Sequence, residues 1–220
     1  MIVCRHFVLL HVAKTGGTWL ARSVLLPHAP AEWALREVAP KHGGIADIPA
    51  DAATAPRFAF VRDPWDWYVS WWAFHRRIYH DRDYADGLGA AFFGDANDGD
   101  HVNRDVWAAG LAAGLDPVDE FRAALPMMLE SESLTGRLRA VVGDGSTVSL
   151  HRYEDGIGTW LARAVAPCGG MPAPMVAALG SAPLWASGRG HRREYYTSEM
   201  AGAVARTDAA IIKAHGYAPP

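Results

Sequence analysis

Lys14-Thr15-Gly16-Gly17-Thr18 is a run whose residue types suit one task, the holding of an anion. Two adjacent glycines let the backbone curl tightly, so that successive N–H groups converge on one point. If a helix starts there, its unpaired N–H groups and its dipole add positive charge at the same place. Lys14 brings a mobile full charge, and Thr15 and Thr18 bring hydroxyl donors. A second anion contact is available at Arg62, whose guanidinium can fork onto a phosphate bidentately. The order of residues excludes a nucleoside-triphosphate loop of the G-x-x-x-x-G-K-[ST] type, because here the lysine precedes the glycines.

These residues need elements to carry them. Phe7-Val8-Leu9-Leu10 is a short apolar run and predicts a buried strand ahead of the Lys14 turn; Trp19 to Leu26 is apolar-periodic and predicts a helix after it. Arg57 to Arg62 predicts a second buried strand. Asp63-Pro64 follows it directly as a helix start, with Asp63 capping, Pro64 at the first helical position and Asp66 complementing the dipole. The helix it opens carries Trp65, Trp67, Tyr68, Trp71, Trp72 and Phe74, so most of its circumference must be covered, and core packing is the expected role of each tryptophan.

Further along, Ile45 to Ala53 leaves room for one helical turn, and residues 81 to 100, with Phe92-Phe93 at their centre, predict a long loop. Asp95 to Asp100 fails as a calcium loop, since the glycine is one place early and no suitable glutamate closes it. Asp116-Pro117 repeats the capped helix start, Thr147 to Leu150 is a third strand candidate, and Ile157 to Ala164 is amphipathic. Ala166 to Arg189 is rich in Pro and Gly and predicts an irregular connection. Thr197 predicts the cap of one final helix that ends at Gly216. Strand-to-motif order of this kind belongs to an α/β chain with a small parallel sheet flanked by helices, the motifs lying at the carboxyl edge.

Bulk properties narrow the classes. A chain of 220 residues suits one domain, here taken as 1–220, and is short for two. The net charge of −3 argues against a basic nucleic-acid surface. Cys4 and Cys168 are far apart in sequence and suggest neither a disulfide framework nor a cysteine zinc site. No apolar run is long enough for a membrane span, and the first strand begins too early for a signal peptide, so cytoplasmic residence is expected.

The lysine-first loop, Lys14-Thr15-Gly16-Gly17-Thr18-Trp19, resembles the phosphosulfate-binding loop of sulfotransferases that use 3′-phosphoadenosine 5′-phosphosulfate. Phe58 to Ser70 resembles the 3′-phosphate element of the same family: a strand, Arg-Asp-Pro, then a helix with a serine eight residues after Arg62. Trp67 stands where many relatives carry an arginine. Ser149 to Asp155 and Glu194 to Tyr217 are similar, less specifically, to later segments of the family, and about residues 80 to 145 are unmatched.

The resemblance implies a P-loop NTPase-like sulfotransferase fold, a nucleotide sulfate donor, no metal, and an acceptor hydroxyl or amine on a small molecule, carbohydrate or lipid-like compound. The donor's 5′-phosphosulfate would lie on Lys14, Thr15, Gly16, Gly17 and Thr18, with Lys14 meeting the charge on the leaving phosphate. The 3′-phosphate would lie on Arg62 and Ser70. Trp19 would stack on the adenine or pack in the core, and Arg189 with His191 would close over the 3′-phosphate or belong to a solvated loop. An acceptor hydroxyl needs a base. His42, in Lys41-His42-Gly43-Gly44, matches a Lys-His element of related bacterial and Golgi-type enzymes; Glu32, Glu37, His101 and His11 are the alternatives, and Lys41 would orient an anion. Two other readings stand beside this one: a silent nucleotide-binding relative, and a nucleotide kinase, the latter disfavoured by the loop order.

Overall fold

A computed structural model describes residues 1–80, 114–181 and 191–220. The chain is α/β and divides into two compact units, Met1–Arg62 with Arg137–Ala186, and Asp63–Gly136 with Ser187–Pro220.

The first unit is built on a five-stranded mixed sheet in the order β3-β1-β2-β4-β5. The strands are β1 (Ile2–Val3), β2 (Val8–Leu10), β3 (Arg36–Glu37), β4 (Arg57–Val61) and β5 (Ser149–Arg152). β2, β4 and β5 run parallel, in registers that pair Leu9 with Phe58 and Phe60 with His151. β1 is antiparallel to both β2 and β3, so the expected all-parallel sheet is corrected at that edge. The reason is chain length: only four residues separate β1 from β2, enough for a hairpin and too few for a parallel crossover.

Leu9, Phe58 and Phe60 share one face of the sheet, where Trp160, from the helix Ile157–Val165, meets Phe7, Phe58 and Phe60 edge-on at 4.9 to 6.0 Å. Leu20, Ala21, Val24 and Leu25 complete that core with Met175. On the other face Val8, Leu10, Ala59 and Val61 are also buried, which is why both strands read as unbroken apolar runs. The helical stretch after β2, here α1, opens as Gly17–Trp19, widens to a π-helix over Leu20–Leu25 and closes as Leu26–His28. Pro27 has no N–H to return along the helix and its ring crowds the carbonyl four residues back, which favours the wider turn there.

In the second unit α2 spans Pro64–His80 and α3 spans Pro117–Ser131, the latter capped by Asp116, whose carboxylate accepts from the N–H of Val118 and Asp119. α4 (Leu134–Val142) follows, then β5, α5 (Ile157–Val165) and α6 (Ala173–Leu179) in the first unit. α6 lies inside the segment expected to be irregular. Its prolines stand at its start, Pro172 as cap and Pro174 in the first turn, where a missing N–H costs nothing. The last helix is two, α7 (Ser198–Thr207) and α8 (Ala209–His215), broken at Asp208. That break has a cause: the Asp208 carboxylate is drawn inward to accept from Thr135 N, Thr135 Oγ1 and Tyr68 Oη. Trp65, Trp67, Trp71 and Trp72 of α2 are all buried, as expected of core residues, with Trp67 stacked on Trp71 at 5.4 Å.

Candidate functional site

The turn after β2 is shaped by two left-handed residues, Lys14 at φ 64 and Gly16 at φ 79. For Gly16 this is the conformation glycine adopts without strain, and a Cβ there would also press to 2.8 Å on the Tyr153 ring. For Lys14 it is a strained position that the surroundings must hold. Gly17 has a different reason to be glycine. A Cβ on it would fall within the His11 imidazole, 2.5 Å from Nε2 and 2.8 Å from Cγ. Gly16 is the N-cap of α1 and no side chain caps the helix, nor does an acidic residue stand in its first turn. The first N–H groups of α1 therefore receive no carboxylate from their own helix.

Thr15 is buried and gives its hydroxyl to the carbonyl of Val12 at 2.8 Å, which spends that hydroxyl inside the turn; Thr18 is half-buried at the helix start. Trp19 packs against the apolar cluster of the first unit, and its indole Nε1 is buried without a hydrogen-bond acceptor.

Because β2 and β4 are adjacent and parallel, the Lys14 turn and Arg62 leave the sheet at the same edge. Arg62 Nη1 donates to the Lys14 carbonyl at 3.0 Å, and its guanidinium lies 5.0 Å over the ring of Tyr153, the residue that follows β5. Tyr153 enters the site by the same logic, and its position after the third strand of the parallel set is the sequence signal for it.

Of the candidate bases among the described residues, the fold brings His42 and His11 together beside this turn. The Nδ1 of His42 lies 2.7 Å from the carbonyl oxygen of His11, and the two imidazoles are 4.4 Å apart, tilted by 44°. A carbonyl only accepts, so Nδ1 carries the hydrogen and the neutral ring holds its lone pair on Nε2. His11 is itself buried. Its pKa is held well below the ordinary histidine value, by burial first and then by the positive charges of His42, Lys41, the first amino group and Lys14. Among the other candidates, Glu32 is exposed, and Glu37 on β3 is 3.7 Å from Arg22.

In the second unit Asp63 caps α2, accepting from Asp66 N at 3.1 Å and pairing with Arg192. Ser70 is buried on α2. His191 is exposed and caps a short turn over Arg192–Glu194. Arg189, His101 and the Phe92-Phe93 segment lie outside the described residues. Among the described residues no cluster of three or more His, Cys, Asp or Glu side chains is placed to hold a metal ion. None of their helices is long and apolar enough to cross a membrane.

Comparison with protein-family models, with curated proteins and with solved structures finds no match for this chain.

Proposed function

We propose that the chain is a sulfotransferase that moves the sulfuryl group of 3′-phosphoadenosine 5′-phosphosulfate to an acceptor hydroxyl. One observation carries the reading. Lys14 and Arg62, one from each of the two motifs that resemble the family's donor-binding elements, are far apart in sequence, yet they meet at one sheet edge with Arg62 bonded to the carbonyl of Lys14. A left-handed turn, a helix start without an acidic side chain and two basic residues suit a dianionic group.

In this reaction the acceptor oxygen attacks sulfur while the bond from sulfur to the 5′-phosphate oxygen breaks, leaving adenosine 3′,5′-bisphosphate. The Lys14 ammonium offsets the charge that grows on the departing phosphate. His42 takes the acceptor's proton on Nε2, the nitrogen that its hydrogen bond to His11 leaves with the lone pair. Positioning and charge stabilisation do the rest, as in phosphoryl transfer. The acceptor class stays open among phenolic, sugar and lipid-like molecules.

Titration calorimetry with adenosine 3′,5′-bisphosphate and with ATP tests the donor. Binding of the bisphosphate in preference to ATP is the expected result. Preference for ATP points to a kinase, and binding of neither overturns both. Donor turnover over a panel of phenols, sugars and lipid alcohols then separates an enzyme from a silent nucleotide-binding relative.

A further inference from the structure

We infer that His11 is a positioning residue for His42, holding in one tautomer and one orientation the ring assigned above as base. The catalytic consequence rests on that assignment; the geometry does not. His42 is held twice by the same residue. The His11 carbonyl fixes the hydrogen on Nδ1 at 2.7 Å, and the His11 imidazole stands against the His42 ring at 4.4 Å and limits its rotation. His11 is fixed in turn from its other side. Its ring occupies the space a side chain at position 17 would need, with Nε2 2.5 Å and Cγ 2.8 Å from where that Cβ would lie. Gly17 is the first residue of α1, so the chain of contacts runs from the helix start at the end of the Lys14 turn, through His11, to His42.

The chemistry of His11 fits a fixed wall better than a second base. It is only 8% exposed, and the charged groups that act on it among the described residues are cationic: Lys41, the first amino group, Lys14 and, when it carries a second proton, His42. A proton is disfavoured on it by burial and by charge alike, so the proton taken from an acceptor stays on His42 rather than passing inward. Sequence alone ranks His11 among the weaker base candidates. Its burial and its contact with Gly17 give it a different task.

Nitrogen-15 spectra of the histidine side chains in the full chain, recorded above the titration range of histidine, test this. Wild-type His42 is expected with its hydrogen on Nδ1. His11→Phe keeps a ring and the carbonyl, and it is expected to keep that tautomer. His11→Ala keeps the carbonyl but removes the ring that limits His42 rotation, and Gly17→Ala pushes the His11 ring from its seat; in both, His42 is expected to turn away from the carbonyl and become a mixture of tautomers. In the donor-turnover assay His11→Ala is expected to lower kcat by about 10- to 100-fold, the range that misplacing a reacting group produces, with affinity for adenosine 3′,5′-bisphosphate retained. His42 holding one Nδ1–H tautomer in folded His11→Ala or Gly17→Ala protein overturns the inference. So does wild-type His42 with its hydrogen on Nε2, a result that needs no variant to fold. Loss of bisphosphate binding in the wild type instead fails the sulfotransferase reading and leaves the spectra to decide the role of His11.

Discussion

Arg62 Nη1 donates to the main-chain carbonyl of Lys14 across 3.0 Å, and the same guanidinium covers the ring of Tyr153 at 5.0 Å. One side chain therefore ties together the ends of three parallel strands. Its planar head makes both contacts, which a lysine ammonium does not reproduce. Arg62→Lys is expected to cost about 1.5–3 kcal/mol of stability, the range for a hydrogen bond from a charged donor. It is also expected to weaken adenosine 3′,5′-bisphosphate by roughly tenfold or more, since about 1.4 kcal/mol is a factor of ten. Denaturant unfolding and calorimetry on the same preparation measure the two effects. Unchanged values in both would show that the guanidinium neither supports the turn nor meets the nucleotide.

Substitution can separate the backbone strain at Lys14 from the role proposed for its ammonium. Its φ of 64 is a conformation in which an L-residue loses about 1–2 kcal/mol and glycine does not. Lys14→Gly and Lys14→Ala both remove the ammonium, but only the first removes the strain. Lys14→Gly is expected to be about 1 kcal/mol more stable than Lys14→Ala by thermal unfolding. Donor turnover is expected to be abolished in both, because in the proposed reaction this charge offsets the one that grows on the leaving phosphate. Near-normal turnover by either variant would remove Lys14 from the proposed chemistry.

The parts of this fold that local chemistry determines were legible in the sequence. Asp63, Asp116 and Thr197 each cap the helix they were expected to cap, because a short acceptor before a helical run acts within three residues. β2, β4 and β5 fall within a residue or two of the strand segments expected there. β1 and β3 are two residues each, too short for any periodicity to register. The break at Asp208 depends on Tyr68 and Thr135, distant residues that no local pattern connects to it. At the candidate site the loop residues were legible and the reason for Gly17 was not. Two glycines in a turn suggest backbone freedom, whereas Gly17 is required by an imidazole from position 11.

Asp208 is fully buried and receives three donors: Tyr68 Oη at 2.8 Å, Thr135 N at 2.8 Å and Thr135 Oγ1 at 2.6 Å. Tyr68→Phe leaves a buried carboxylate oxygen short of a donor and is expected to cost about 1–3 kcal/mol. Asp208→Asn keeps one acceptor oxygen for the two Thr135 donors and turns an amide donor toward the Tyr68 hydroxyl, which must then accept, so it is expected to cost less than Tyr68→Phe. The Tyr68 phenol is also held far above its ordinary pKa, by burial first and then by the Asp208 charge and hydrogen bond. A raised pKa in the fold means that this contribution is complete below the unfolded tyrosine pKa, about 10, and is lost as pH rises beyond it. Wild-type stability is therefore expected to fall above about pH 10 more steeply than that of Tyr68→Phe. Parallel alkaline limbs in the two proteins would rule this out.

His11 makes the opposite prediction at the acid end. Its pKa is lowered in the fold, so the unfolded chain binds the proton first as pH falls through about 6.5. Between that value and the folded pKa the unfolded state carries more protons, and stability drops by up to about 1.4 kcal/mol per pH unit for this one group. His151 is shifted in the same direction, by burial and then by Arg163, against the pull of Asp155. Its share of the slope persists when His11 is replaced. His11→Phe keeps a ring of similar shape against Gly17 and carries no titrating nitrogen. Its unfolding free energy is expected to fall less steeply than the wild type's below about pH 6.5, with the two curves parallel above that value. Equal slopes across the acid limb would mean that His11 reaches solvent or an acceptor when protonated, which its contacts with Gly17 and His42 argue against.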